Sequence, residues 1–77
     1  MFKKGKAEYL LKWILEEYPN GYYKVSVRGV PYIRVKKGTT EIGIAYFGRH
    51  DSFRLFPDVG DKWDIQSKEE VVAYLNN

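Results

Sequence analysis

The sequence predicts an α+β fold: an N-terminal helix, an antiparallel meander of three to four strands and a C-terminal helix, with both helices on one face of the sheet. Three patterns carry that prediction. Ala7, Leu10, Leu11, Ile14 and Tyr18 recur at helical spacing. Residues 22 to 56 alternate with period two, putting Val25, Val27, Ile33, Val35, Ile42 and Ile44 on one side and Lys24, Arg28, Arg34, Lys36 and Arg54 on the other. An apolar set in one parity and a cationic set in the other describe a half-buried antiparallel sheet. Finally, Ser67-Lys68-Glu69-Glu70 has the spacing of a capping box, in which the hydroxyl accepts the amide of the third residue and the carboxylate reaches back.

The first helix is predicted over Lys6 to Tyr18, and Pro19-Asn20-Gly21 stops it and turns the chain. In the sheet, Gly38 suits the left-handed position of a two-residue turn at Gly38-Thr39. That turn sets Val35 opposite Ile42 and Ile33 opposite Ile44 on the apolar side, and Lys36 opposite Glu41 on the other. A three-residue loop, Gly29-Val30-Pro31, is expected to bring Val27 opposite Ile33 and Val25 opposite Val35, leaving Pro31 outside the ladder. A four-residue loop, Phe47-Gly48-Arg49-His50, is expected to bring Phe53 opposite Ile44 and Leu55 opposite Ile42. Asp58 to Asp64 then reads as a polar crossing. Trp63 and Ile65 plug the core beside the last helix, which turns Val71, Val72 and Leu75 inward.

These registers draw a docking surface. Gly43 and Ala45 form a shallow floor, with Arg34 and Tyr32 on one side and Arg54 and Ser52 on the other. Planar guanidiniums suit phosphate or carboxylate, and a floor without side chains lets a ligand approach the backbone. The candidate nucleic-acid-binding residues are therefore Lys24, Arg28, Tyr32, Arg34, Lys36 and Arg54, with Tyr22 and Phe56 as further stacking surfaces. A Lys- and Arg-rich outer face also serves to keep sheet edges apart, which is the plainer reading of the same residues.

Charge is unevenly placed. Residues 1 to 56 carry 11 Lys and Arg against 5 Asp and Glu, whereas residues 57 to 77 carry 2 against 5, for a net charge of +3. An excess concentrated on one surface favours an anionic partner, DNA or RNA. The alternative partner is a protein, engaged through Phe2, Tyr9, Trp13 and Tyr74, since Tyr9 and Trp13 lie off the main apolar stripe of the first helix. The chain is expected to be a monomer or a weak homo-oligomer.

Composition limits the remaining classes. One domain is expected over residues 1 to 77, a size that buries only about 60% of its unfolded surface. With no cysteine, the core depends on apolar residues making up 44% of the chain. A single histidine, His50, and carboxylates without calcium-loop spacing give no metal constellation, and Gly38 and Gly48 stand apart rather than forming a phosphate loop. We therefore expect no enzyme, no metal and no cofactor. The basic start lacks the apolar stretch of a signal sequence, no segment reaches membrane-spanning length, and a cytoplasmic location is expected.

The order of helix, antiparallel meander and final helix resembles the double-stranded-RNA-binding domain, a likeness of layout over most of the chain. That family grips duplex RNA by shape, through phosphate and 2′-hydroxyl contacts. It is known for a lysine-rich start to its last helix, where this chain has Lys68-Glu69-Glu70.

Overall fold

The computed structural model describes residues 4 to 77, so Phe2 lies outside the described residues. The elements run α1 (Lys4–Glu17), β1 (Gly21–Val25), β2 (Pro31–Lys37), β3 (Thr40–Phe47), β4 (Ser52–Pro57), β5 (Trp63–Ile65) and α2 (Lys68–Asn76). All strands are antiparallel and lie in the sheet in chain order. The class and the meander are those the sequence predicts, with one strand more at the far edge.

Both helices cover the same side of the sheet. Ala7, Leu11 and Ile14 of α1 meet Ile33, Val35, Ile42, Ile44, Phe53 and Leu55 in a core that excludes water completely or almost so. Val71 and Leu75 of α2 close the end of it. The first half of the predicted capping box is present, Ser67 Oγ accepting from Glu70 N at 3.2 Å; the Glu70 carboxylate reaches back to the Ser67 hydroxyl, at 3.0 Å, where the box has it reach the Ser67 amide. Trp63 packs edge-on against Tyr74 at 5.3 Å between centroids, which occupies one of the aromatics proposed for a protein partner. Just past the end of the first helix Tyr18 donates its hydroxyl to the carbonyl of Lys36, and Asn20 Nδ2 donates to the same oxygen at 3.2 Å.

The β2–β3 register is the predicted one, with Gly38 left-handed at φ +66° and Ile33 opposite Ile44. The two neighbouring registers differ. Between β1 and β2 the loop is three residues long but comprises Val27, Arg28 and Gly29. Gly29 N donates to Ser26 O, Ser26 N donates to Val30 O, and Gly29 at φ +83° supplies the left-handed third position. Ser26 Oγ accepts from Val30 N and seals the turn. A left-handed glycine closes such a loop rather than opening it, and the expected placement had it at the wrong end. Tyr23, not Val27, therefore lies opposite Ile33, and Val25 lies opposite Pro31. Val27 is fully solvent-exposed and Arg28 leaves the sheet face for the turn.

Between β3 and β4 the four-residue loop moves one position on, to 48–51. Asp51 takes the left-handed conformation at φ +51°, and Phe47 joins β3 opposite Ser52. Aspartate is among the few non-glycine residues that adopt this conformation readily, and here its carboxylate accepts the Tyr46 hydroxyl and lies 3.6 Å from Lys6 Nζ. Phe53 consequently stands opposite Tyr46, their rings 5.1 Å apart, and Leu55 opposite Ile44. Because both shifts are even, every strand residue keeps its predicted face. The polar crossing ends at Lys62, and Trp63 to Ile65 pair with β4 as β5.

Candidate functional site

The side of the sheet away from the helices carries the candidate site. Its rows run Tyr22, Arg34, Gly43, Phe56 and Lys24, Tyr32, Ala45, Arg54, Asp64, flanked by Lys36 beside Glu41 and by Phe47 beside Ser52. Five of the six predicted residues share this face: Lys24, Tyr32, Arg34, Lys36 and Arg54. Arg28 does not, for the reason given by its turn. Gly43 and Ala45 form the floor, but the β3–β4 shift puts Phe56 and Arg54 beside them in place of Arg54 and Ser52. Ser52 is buried at 3% exposure beside Phe47.

The acidic partners on this face are what sequence reasoning missed. Arg34 donates to Glu41 Oε1 from Nε at 2.8 Å and from Nη2 at 2.5 Å, and its Nη2 lies 3.6 Å from Asp58 Oδ1. Although Glu41 stands opposite Lys36 as predicted, its carboxylate turns to the guanidinium, whose fork and delocalised charge suit it better than an ammonium. Asp58 is fixed in turn by accepting Glu41 N at 3.3 Å. Arg54 makes a forked pair with Asp64, Nε to Oδ1 at 2.7 Å and Nη2 to Oδ2 at 3.2 Å, and its guanidinium lies 4.9 Å from the centre of the Phe47 ring. The signal for the second pair was the period-two spacing of Trp63, Asp64 and Ile65, hidden by the brevity of the strand.

These pairs fix both guanidiniums and offset much of their charge. Arg54 holds the Asp64 carboxyl below its ordinary range, chiefly through the hydrogen bond and then by charge. A carboxylate with a depressed folded-state pKa stabilises the fold above the unfolded value, and the contribution disappears as pH falls through the folded one. Asp64→Asn should therefore lower the melting temperature at neutral pH, by an amount that shrinks to nothing as the buffer is taken well below the usual aspartate value of 3.8. Melting curves from pH 7 into strong acid test this; a difference independent of pH would contradict the pairing. Lys24 and Lys36 are exposed and have no ion-pair partner among the described residues.

Aromatic surface accompanies the charge. Tyr22 and Phe56 are 48% and 41% exposed on opposite sides of the Arg34–Gly43 row, and Tyr32 and Phe47 are half-buried beside the Ala45 row. Phe47, expected in the loop, enters the face only through the shifted turn.

A second surface lies on α1. Gly5, Glu8, Tyr9, Lys12, Trp13 and Glu16 line a shallow open hollow of about 280 Å³. Tyr9 is 64% exposed, while Trp13 is half-buried under Lys68, whose Nζ lies 4.7 Å from its ring centre. Among the described residues there is no group of three or more His, Cys, Asp or Glu that could hold a metal ion, and no helix long and apolar enough to cross a membrane. His50 is exposed in the 48–51 turn, and no other residue of the chain is a histidine. No protein-family model, curated protein or solved structure matches the chain.

Proposed function

We propose that the chain is a non-catalytic, cytoplasmic binding domain whose open sheet face takes up single-stranded nucleic acid. The observation that carries this reading is the juxtaposition, on a face neither helix covers, of exposed Lys24 and Lys36 with the rings of Tyr22, Tyr32 and Phe56 around a floor of Gly43 and Ala45. Stacking surfaces combined with cations that track a backbone are the physical basis of strand binding without base preference. Because Arg34 and Arg54 are engaged by carboxylates, phosphate contact falls mainly to the two lysines, and the arginines serve as rigid side walls of the floor. An A-form duplex would present phosphates and 2′-hydroxyls but no accessible ring faces, so the aromatics favour an unpaired strand over the duplex suggested by the likeness of layout.

The test is fluorescence anisotropy with single-stranded DNA and RNA homopolymers at several salt concentrations. Each phosphate contact contributes a slope of about −0.7 in log affinity against log salt, so Lys24→Ala with Lys36→Ala should reduce the slope by roughly 1.4. Asp64→Asn, which removes a negative charge from the face, should tighten binding. Affinity and slope unchanged in the double lysine variant would end this assignment.

A second reading is favoured by the exposure of Tyr9: a protein partner seated in the hollow on α1. Tyr9→Ala should then abolish recovery of that partner in a nuclease-treated pull-down while leaving the salt dependence of strand binding intact.

A further inference from the structure

Among the described residues the sheet ends at β1 with an unpaired edge, and the alternation of its main-chain groups can be read from the hydrogen bonds flanking it. Lys36 N donates to Asn20 O and Ser26 N donates to Val30 O, so the even-numbered residues from 20 to 26 address β2. Gly21, Tyr23 and Val25 therefore direct their N–H and C=O groups away from the sheet. Natural edge strands are usually blunted by proline, a bulge, an inward charge or brevity. The opposite edge, β5, is three residues long and carries Asp64. β1 has five residues and no proline, and its one charge, Lys24, points to the outer face.

We infer that β1 pairs antiparallel with β1 of a second copy about a two-fold axis through Tyr23, joining two sheets edge to edge. The strand is self-complementary in that register. Gly21 stands opposite Val25 of the second copy, and Tyr22 opposite its Lys24. On the inner side the half-exposed Val25, at 48%, comes beside Gly21 and the Val35 side chain that fills the position a Cβ on Gly21 would take, so the contact there is apolar. On the outer side the Lys24 ammonium meets the exposed Tyr22 ring, an attraction between a cation and an aromatic face, and two lysines never come opposite one another. Lys12, whose Nζ lies 5.0 Å from the Tyr23 ring centre, approaches the axis already paired with Glu8 at 2.7 Å, so no bare ammoniums face each other across it. A seam built from one five-residue strand is small, and association should be reversible, with a dissociation constant on the order of micromolar or weaker.

The inference is independent of nucleic acid and is tested without it, by sedimentation of the full chain over a wide concentration range. The wild type should pass from monomer to dimer. Val25→Pro removes the outward N–H at each end of the seam without touching the bonds to β2, and should raise the dissociation constant roughly tenfold or more. Val25→Lys places an inward charge on an already exposed edge position and should do the same. Circular dichroism confirms that both variants are folded. Position is read by mixing Tyr22→Cys and Lys24→Cys variants, which bring the only thiols in the system: the mixed disulfide should form much faster than either symmetric one. A chain that stays monomeric at every concentration, a dimer indifferent to both Val25 variants, or symmetric disulfides forming as readily as the mixed one would each overturn the inference.

Discussion

Replacing Ile44 with alanine should destabilise the fold by about 2–5 kcal/mol, the range for truncating a fully buried aliphatic side chain. Ile44 lies on the central strand with Ile33 and Leu55 as its cross-strand neighbours, all three at 0% exposure. It is packed under α1 from above and by neighbours on both sides, so the surroundings have little freedom to collapse into the void. For a domain of this size each kcal/mol shifts the melting temperature by about 4–8 °C, and total stability is commonly only about 5–15 kcal/mol. Much of the population should therefore be unfolded well below the wild-type transition. Ile44→Val should lose only about 0.5–1.5 kcal/mol. Denaturant unfolding followed by circular dichroism measures both; equal, small losses would mean that the centre of the sheet is not the packed heart of the molecule.

Gly21→Ala should have the next largest effect, about 1–3 kcal/mol or more. A Cβ at this position would run into the carbonyl oxygen of Arg34 and would stand 2.6 Å from Val35 Cγ1 and 2.9 Å from Val35 Cα. Backbone atoms of β2, held by strands on both sides, cannot swing aside as the end of a long side chain can, so β1 must be displaced. Gly43→Ala is the internal control. Its Cβ would meet nothing closer than 3.8 Å, and glycine inside a strand is itself about 0.5–1 kcal/mol less stable than alanine. The two substitutions should move the melting temperature in opposite directions, and a Gly21→Ala variant as stable as wild type would show that the close approach of β1 to β2 is not maintained in solution.

The parts legible in the sequence were those fixed by parity. Face assignment survived both register errors because each loop moved the ladder by an even number of residues, so Lys24, Tyr32, Arg34, Lys36 and Arg54 stayed together. What parity cannot supply is the place of a left-handed residue within a loop. At 27–29 the glycine closes the turn, and at 48–51 an aspartate takes a role that sequence reasoning reserves for glycine. It does so because Tyr46, across the same turn, and Lys6, distant in sequence, converge on its carboxylate. The candidate site was less legible than the fold. Its cations were visible from spacing, whereas the carboxylates that restrain them depend on the direction in which Glu41, Asp58 and Asp64 reach. Glu41 had two basic neighbours to choose between, and the strand that presents Asp64 is too short for its alternation to stand out.

Because every strand of the sheet pairs with its immediate chain neighbour, the sheet itself assembles without a long stretch of chain being pinned at both ends before strands pair. The loop at 38–39 can close first and zip the β2–β3 ladder, and each later strand adds to an existing template. A molecule wired in this way should acquire its sheet quickly for one so rich in strands, with little time spent as a partly zipped ladder.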